Sequence, residues 1–364
     1  MKTGIITYHN ALNAGAVLQA YALQTVLQRL GHRVEFINYY PQRKYTVRSF
    51  IAKSPFRMWN NWKDIINGIR YSNKGIFGQL LILGEISYNS ESELNEHPPI
   101  YDLYIAGSDQ IWNAFRTVQK FFFLNFAPKG SRKISFAASL GQCKIPDVLH
   151  NEIRELLSDF ELISVREKNG VDFIQSLLPE KTIYHIQDPT CMLKATDYFS
   201  IAEIPNERNY IASYMLALLD KGQNKIINLI KQRLNRKIIN LRNPDTCIRL
   251  SNAKNSIVTP RQWLGYMINA DFVICSSFHA VMFSLIFHKP FIVIQPQLTM
   301  EQGGNARIHS LLEPIGLINR CVYGTHDSEN NIIEILQKNI DWETVDSYLQ
   351  NGTENSLNYL KRIL

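Results

Sequence analysis

The chain of 364 residues has few cysteines and no long apolar run. Its cysteines, Cys143, Cys191, Cys247, Cys275 and Cys321, lie far apart, which disfavours a disulfide framework and a zinc site. No stretch approaches the roughly 20 apolar residues that a membrane-spanning helix needs. The first residues, MKTGIITYHN, lack the apolar region of a secretory signal. We therefore expect a cytoplasmic protein. We also expect no metal ion, because no His, Asp and Glu cluster has ligand spacing.

The glycine-rich motifs of common nucleotide-binding folds are also missing. The chain contains neither GxGxxG nor a Walker sequence, so dinucleotide binding and P-loop chemistry have no support. No recognised nucleic-acid motif occurs, and we expect no nucleic-acid partner. The composition, with 45% hydrophobic and 20% charged residues, is that of a globular protein, and the length allows two domains.

Positive charge is concentrated in one segment. Residues 42–84 hold eight lysines and arginines against a single acid, Asp64, which accounts for the whole formal charge of +7. Trp59, Trp62 and Ile65 in the same segment add aromatic and apolar groups at helical spacing. Two interpretations stay open. The segment is either a helix that lies on an anionic membrane surface, at the inner face of the membrane, or an insertion whose charged face is simply solvated.

Strands and helices alternate along both halves of the chain. KTGIITYH and RVEFINYY predict strands, and the apolar stripe of AVLQAYALQTVLQRL predicts a helix that ends near Gly31. Thr259 and Pro260 are typical of a helix start. The alternation predicts an α/β fold of two Rossmann-like, doubly wound domains with parallel sheets. We place them at residues 1–195, with the basic aromatic segment inserted at 42–98, and at 196–364.

Polar turns follow many of the predicted strands. Ligands of open parallel sheets bind at the carboxyl ends of strands, so two facing domains should gather these turns in one cleft. His279, which follows an apolar strand and opens a helix, stands where backbone N–H groups favour an anion. The cleft residues are His9, Asn10, Asn13, Gly15, Ser108, Asp109, Gln110, Arg166, Glu167, Asp188, Ser276, Ser277, His279, Asn305 and Arg307.

An ordered set of segments carries a family resemblance. They are NALNAGAVLQAYALQ, YDLYIAGSDQIW, ISFAASLG, ISVREKNG, the DPT at 188–190, CSSFHAVMFSL and RIHSLLEPIGL. Together they resemble the polysaccharide pyruvyl transferase family, over nearly the whole chain except the basic segment and the last ~25 residues. The resemblance implies two Rossmann-like domains around a central cleft, similar to the B-type glycosyltransferase architecture.

The resemblance also implies a reaction. Phosphoenolpyruvate, a co-substrate rather than a cofactor, gives its pyruvyl group to two hydroxyls of a surface-polysaccharide sugar, often lipid-linked. The product is a cyclic ketal and phosphate is released. The resemblance implies that His279 is the general acid, since a histidine titrating near ~6.5 exchanges protons at neutral pH. It further implies that Arg166 binds phosphoenolpyruvate, for which a planar guanidinium is suited. Helix capping by His279 and an ion pair of Arg166 with Glu167 stay open as structural roles.

Other candidate roles come from position in the predicted turns. Asp109 is the candidate that contacts or deprotonates the acceptor hydroxyl, with capping as its structural alternative. Hydrogen bonds to the acceptor are expected from His9, Asn10, Asn13 and Gln110, although the first three could simply form a turn.

One position departs from the family pattern. Characterised members carry an arginine two residues before the motif histidine, and here that residue is Ser277. We expect Arg307 to replace the missing cation, together with Ser276, Ser277 and Asn305 in a donor site. Two alternatives stay open. One is a nucleotide-sugar glycosyltransferase, in which Glu301 or Glu313 holds the ribose. The other is a non-catalytic sugar-binding protein of a polysaccharide assembly complex.

Overall fold

The structure, a computed structural model, describes residues 1–40, 66, 78–114, 117–141, 145–216, 220–243, 248–295, 306–323 and 328–363. Most of the basic segment 42–84, including the predicted membrane helix, lies outside the described residues, as do Asn305 and Glu301. Among the helices of the described residues, none is long and apolar enough to cross a membrane.

The first half of the chain builds a parallel sheet whose central strand is the first in sequence. Its strands are β1 (Lys2–Ile6), β2 (Arg33–Tyr39), β3 (Leu83–Tyr88), β4 (Leu103–Ala106) and β5 (Arg132–Ser135), with β6 (Ile163–Val165) and β7 (Ile183–His185) in a short second sheet. The order is β3-β2-β1-β4-β5, and all neighbours are parallel. Two isolated parallel bridges connect the sheets. Ile134 of β5 pairs with Leu162, just before β6, and Ala138, after β5, pairs with Val165 of β6, so the second sheet continues the first.

Helices cover both faces of this sheet. They are α1 (Ala14–Arg29), α2 (Glu91–Glu96), α3 (His150–Leu157) and α4 (Lys168–Leu177). The predicted apolar stripe of α1 is buried, and Gly31 follows its end at φ 86°, as the sequence predicts. Asn13 caps the start of α1 through a hydrogen bond from the Gly15 amide to Oδ1, at 2.9 Å.

The second half repeats the arrangement with six strands. They are β8 (Tyr210–Tyr214), β9 (Lys237–Arg242), β10 (Lys254–Ile257), β11 (Phe272–Cys275), β12 (Phe291–Ile294) and β13 (Cys321–Val322), in the order β10-β9-β8-β11-β12-β13. All neighbours are again parallel. The helices are α5 (Ala195–Phe199), α6 (Lys221–Leu234), α7 (Pro260–Asn269), α8 (Phe278–Ile286), α9 (Ala306–Leu312), α10 (Glu329–Gln337) and α11 (Trp342–Leu360). Thr259 caps α7, which confirms the predicted start. The α/β architecture with two parallel, Rossmann-like sheets is therefore confirmed.

Two features differ from expectation. Strand β3 falls inside the range 42–98 that we assigned to an insertion, yet it forms the edge of the first sheet. Most of its side chains are exposed, and Gly84 and Glu85 break the apolar run of Leu80, Leu81, Ile82 and Leu83 that leads into it. Helix α11, which falls within the range 196–364 that we assigned to the second domain, returns to the first sheet. Tyr359 Oη donates to the Ser135 carbonyl at 2.7 Å, and Thr353 Oγ1 donates to the Cys191 carbonyl at 2.8 Å. The domain boundary near residue 195 stays a prediction.

Candidate functional site

The two sheets meet at the carboxyl ends of their central strands. Helix α1 follows β1, helix α8 follows β11, and His279 is the second residue of α8. The imidazole lies directly on the first turn of α1, because a Cβ atom on Gly15 would be 2.4 Å from His279 Cγ and Nδ1. Tyr214 Oη at the end of β8 also reaches Asn13 Oδ1 at 3.3 Å. Glycine at position 15 therefore permits the contact that brings the histidine to the amino-terminal half.

Arg166, which follows β6, is the centre of a buried ion-pair network. Its Nη1 donates to Asp188 Oδ2 at 2.6 Å, and its Nε donates to Glu167 Oε1 at 3.2 Å. Its guanidinium carbon lies 4.5 Å from the centroid of the Phe278 ring, in a cation–π contact. Burial opposes the charge of Arg166, but Glu167, Asp188 and Asp109 outweigh it, and the pKa of Arg166 is raised. The arginine is therefore held rigid and charged.

Asp188 links Arg166 to His279. Its Oδ2 lies 3.5 Å from His279 Nε2, while Oδ1 accepts from the Thr190 amide at 3.0 Å and from Thr190 Oγ1 at 2.7 Å. Burial opposes ionisation of Asp188, but His279, Arg166 and Thr190 together hold its pKa well below the ordinary value. The carboxylate is 1% exposed. The sequence placed Asp188 in the cleft but assigned it no role, and the structure puts it against the candidate acid.

Glu167 is fixed by a residue that the sequence analysis did not single out. Ser139, after β5, donates from Oγ to Glu167 Oε1 at 2.6 Å and accepts from the Gly141 amide at 3.1 Å. Glu167 Oε2 is buried and has no hydrogen-bond partner among the described residues. The small polar residues of the ISFAASLG segment were the only signal for this support.

Asp109 lies at the rim of the same network. Its backbone is in the left-handed region, at φ 70°, and its Oδ1 accepts from the Gln110 amide at 2.8 Å. Arg166 Nη2 is 3.9 Å from that same oxygen. No helix follows between Asp109 and Ala114, so helix capping, the structural alternative, is not its role. The carboxylate is instead turned toward Arg166.

Arg307, the second residue of α9, reaches the network from the other half. The side-chain amide oxygen of Gln110 faces Arg307. It accepts from Arg307 Nη1 at 2.7 Å and from Arg307 Nη2 at 2.8 Å. Burial, and then the like charge of Arg166, lower the pKa of Arg307, while Asp109, Glu167 and Asp188 partly offset this. The two guanidinium groups therefore act in one electrostatic environment. Gln110, which we predicted to bind acceptor, holds Arg307 in this arrangement.

The serines before His279 have different environments. Ser276 Oγ accepts from the Leu216 amide at 2.9 Å and ties the turn after β11 to the segment after β8. Ser277 is the residue preceding α8, is buried, and makes no capping hydrogen bond with its side chain. Neither serine side chain supplies a cation.

The remaining predicted acceptor residues lie apart from the Arg166 network. His9 is 3% exposed and stacks on Phe36 with a ring separation of 6.3 Å, and burial lowers its pKa to about 4. Asn10 donates from Nδ2 to the Tyr39 carbonyl at 3.3 Å, and Asn13 caps α1. These residues shape the loop between β1 and α1. In the part of the chain that the structure describes, no group of His, Cys, Asp and Glu has metal-ligand geometry.

Comparisons with known proteins agree with this architecture. A sequence model of the polysaccharide pyruvyl transferase family matches residues 13–297. Among solved structures, UDP-GlcNAc 2-epimerase from Methanocaldococcus jannaschii is similar at 13% identity with a TM-score of 0.52, over 100% of this chain and 99% of that chain. Arabidopsis thaliana UGT89C1 is similar at 10% identity with a TM-score of 0.53, over 100% and 98%. At such identities the likeness shows the fold alone. No significant match was found among proteins with curated functions.

Proposed function

Because the chain belongs to the polysaccharide pyruvyl transferase family, we propose that it transfers the pyruvyl group of phosphoenolpyruvate to two hydroxyls of a saccharide, forming a cyclic ketal and releasing phosphate. The observation that carries this proposal is the buried convergence of Arg166, Asp188 and His279, which Arg307 joins from the second half. It combines fixed cations for an anionic donor with a histidine that can move a proton.

The donor is a small trianion that needs guanidinium and N–H groups. Arg166 and Arg307 supply planar donor forks suited to phosphate and carboxylate. Arg166 Nη2 and Arg307 Nε are buried and have no hydrogen-bond partner among the described residues. Against these two cations stand Asp109, Glu167 and Asp188, so the five groups sum to a formal charge of −1, and a proton on His279 brings the sum to zero. Binding of an anionic donor therefore favours the imidazolium, which is the form that a general acid requires.

His279 protonates the methylene carbon of phosphoenolpyruvate, and C2 becomes electron-deficient. One acceptor hydroxyl then bonds to C2 and loses its proton to Asp109. The second hydroxyl bonds to C2 as the bond from C2 to the phosphate oxygen breaks, and its proton returns to His279. The proton on Asp109 leaves with the phosphate, which closes the proton balance. Asp188 stays ionised throughout and stabilises the imidazolium.

Arg307 takes the place of the arginine that family members carry where Ser277 stands. Its support is geometric, since Gln110 holds the guanidinium and its electrostatic neighbours include Arg166. Asn305, Ser276 and Ser277 complete the donor site in this proposal. His9, Asn10 and Asn13 shape the acceptor side through the loop between β1 and α1.

The acceptor in this proposal is a lipid-linked saccharide at the inner face of the membrane. The basic aromatic segment 42–84 supplies the attraction to anionic lipid. Deletion of residues 48–74 should abolish binding to phosphatidylglycerol vesicles and spare chemistry on a detergent-soluble acceptor. Vesicle binding that survives the deletion would refute the membrane role.

The experiment that tests the function is phosphate release from phosphoenolpyruvate in the presence of lipid-linked saccharides, with mass spectrometry of the acceptor. We expect phosphate and a pyruvate ketal in equal amounts. UDP-sugars, offered under the same conditions, should give no glycosylated product. Transfer from a UDP-sugar, or saccharide binding without any phosphate release, would overturn the proposal in favour of a glycosyltransferase or a binding protein.

A further inference from the structure

We propose that Tyr8, Tyr39 and Phe121 form a stacking platform for the pyranose ring of the acceptor. The inference rests on the proposed function for the identity of the acceptor as a saccharide. It adds a binding surface that the polar residues around Arg166 do not supply, since a sugar ring has apolar faces as well as hydroxyls.

The three rings belong to one continuous aromatic cluster at the carboxyl edge of the first sheet. Tyr8 follows β1, Tyr39 is the last residue of β2, and Phe121 lies in a short 3-10 turn after β4. Ring centroids are 4.5 Å apart for Tyr39 and Phe121, 4.4 Å for Phe121 and Phe122, and 4.7 Å for Phe122 and Tyr8. The ring planes of these three pairs are inclined by 48°, 45° and 66°, so Phe122 joins the members into one continuous but uneven aromatic surface.

The exposure of these rings separates them from the core. Phe122, at the base of the cluster, is 3% exposed, and the neighbouring Trp112 and Phe123 are also buried. Tyr8, Tyr39 and Phe121 remain partly exposed. Partly exposed aromatic rings at the ligand-binding edge of a parallel sheet offer flat apolar faces where substrate is expected.

The charge of the proposed base, Asp109, acts on one member of the platform, Tyr8. Burial, and then the negative charge of Asp109, raise the pKa of Tyr8 to about 12, so its phenol stays neutral. A sugar stacked on the rings would have its hydroxyl edge near the carboxylate that accepts the first proton. Asn10, whose amide is hydrogen-bonded to the Tyr39 carbonyl, adds polar groups at the border of the platform.

The chemistry of recognition is that of a carbohydrate ring on an aromatic face. The axial C–H bonds of a pyranose are weakly positive and meet the negative π face of the ring, while the equatorial hydroxyls stay at the rim.

The test uses three leucine variants, Tyr8→Leu, Tyr39→Leu and Phe121→Leu, of the full chain. Saturation-transfer NMR with methyl β-galactopyranoside and methyl β-mannopyranoside should show contact to the wild type. Each variant should weaken saccharide affinity by about five- to tenfold, the range of one aromatic contact. Phosphoenolpyruvate affinity, measured by thermal shift, should stay within about twofold of the wild type.

Two controls separate stacking from folding. Tyr8→Phe keeps the ring and should retain saccharide affinity. Phe199→Leu removes an aromatic ring of 47% exposure on α5 and should leave affinity unchanged. No saccharide contact in the wild type, or equal contact in the three leucine variants, would overturn the platform. Saccharide binding that the leucine variants lose, without phosphate release in the wild type, would uphold the platform and refute the transferase.

Discussion

The two halves of the molecule contribute different chemistry to the site. The first half supplies Arg166, held among Asp109, Glu167 and Asp188 by ion pairs that form within that half. The second half supplies His279 and Arg307, which meet Asp188 and Gln110 across the junction. The first half thus holds a rigid network of charges, and the second contributes the proposed proton donor and a second arginine. Neither half alone holds all the groups that the proposed reaction uses.

Removal of the imidazole tests the second half and should have the largest effect. His279→Gln keeps a polar side chain of similar length but cannot act as an acid. We expect kcat to fall by about 10²–10⁴, the usual contribution of a general acid, with phosphoenolpyruvate affinity changed much less. Steady-state phosphate release measures the first quantity and thermal shift the second. His288→Gln, at a surface histidine paired with Asp346, is the matched control. A variant with wild-type kcat would remove His279 from the mechanism.

Removal of a carboxylate tests the rigidity of the first half. Asp188→Asn leaves Arg166 without its 2.6 Å partner in a buried site, and such a loss typically costs about 3–5 kcal/mol of unfolding free energy. Urea denaturation measures it. Asp346→Asn, which breaks an exposed pair with His288, should cost about 0–1 kcal/mol. Equal losses in the two variants would show that the network around Arg166 does not stabilise the fold.

The lowered pKa of Asp188 also predicts how the free energy of unfolding depends on pH. The folded-state pKa of Asp188 lies below its ordinary value, so its contribution to stability is fully present above the unfolded pKa near ~3.9. That contribution is lost as the pH falls through the folded value. The wild type should therefore lose more unfolding free energy than Asp188→Asn as the pH falls below about 4 toward the folded-state value. Parallel pH profiles would contradict the assignment.

The contact between the halves is tested at Gly15. Alanine there would place Cβ 2.4 Å from the His279 ring, so the imidazole must move. A misplacement on the scale of 1 Å can cost about 10²-fold in rate, and we expect kcat to fall by that order. Gly78→Ala, where no described residue lies within 4 Å of the added atom, is the control. Unchanged activity of Gly15→Ala would mean that the position of His279 against α1 is not required.

The contrast between the halves also explains what the sequence could predict. Local signals sufficed for α1, for the capped start of α7 and for the strand that precedes His279, because each depends on its own residues. The same reasoning missed β3, whose side chains are mostly exposed. It gave no role to Asp188 and did not single out Ser139, since their importance comes from partners 22 or more residues away along the chain. The sequence placed Gly15 in the cleft without a role, whereas folding brings the His279 ring against it.

The cation of the second half is tested at Arg307, where the smallest effect is expected. Arg307→Ala removes the guanidinium held by Gln110, while Arg166 remains. One charge-assisted contact to an anion contributes roughly 1.5–3 kcal/mol, so phosphoenolpyruvate affinity should weaken by about 10- to 100-fold and saccharide affinity much less. Calorimetric titration with each ligand separates the two. Arg236→Ala, at a surface arginine paired with Asp271, should bind both ligands normally. Unchanged donor affinity in Arg307→Ala would mean that this arginine does not replace the cation missing at Ser277, and that the first half binds the donor without it.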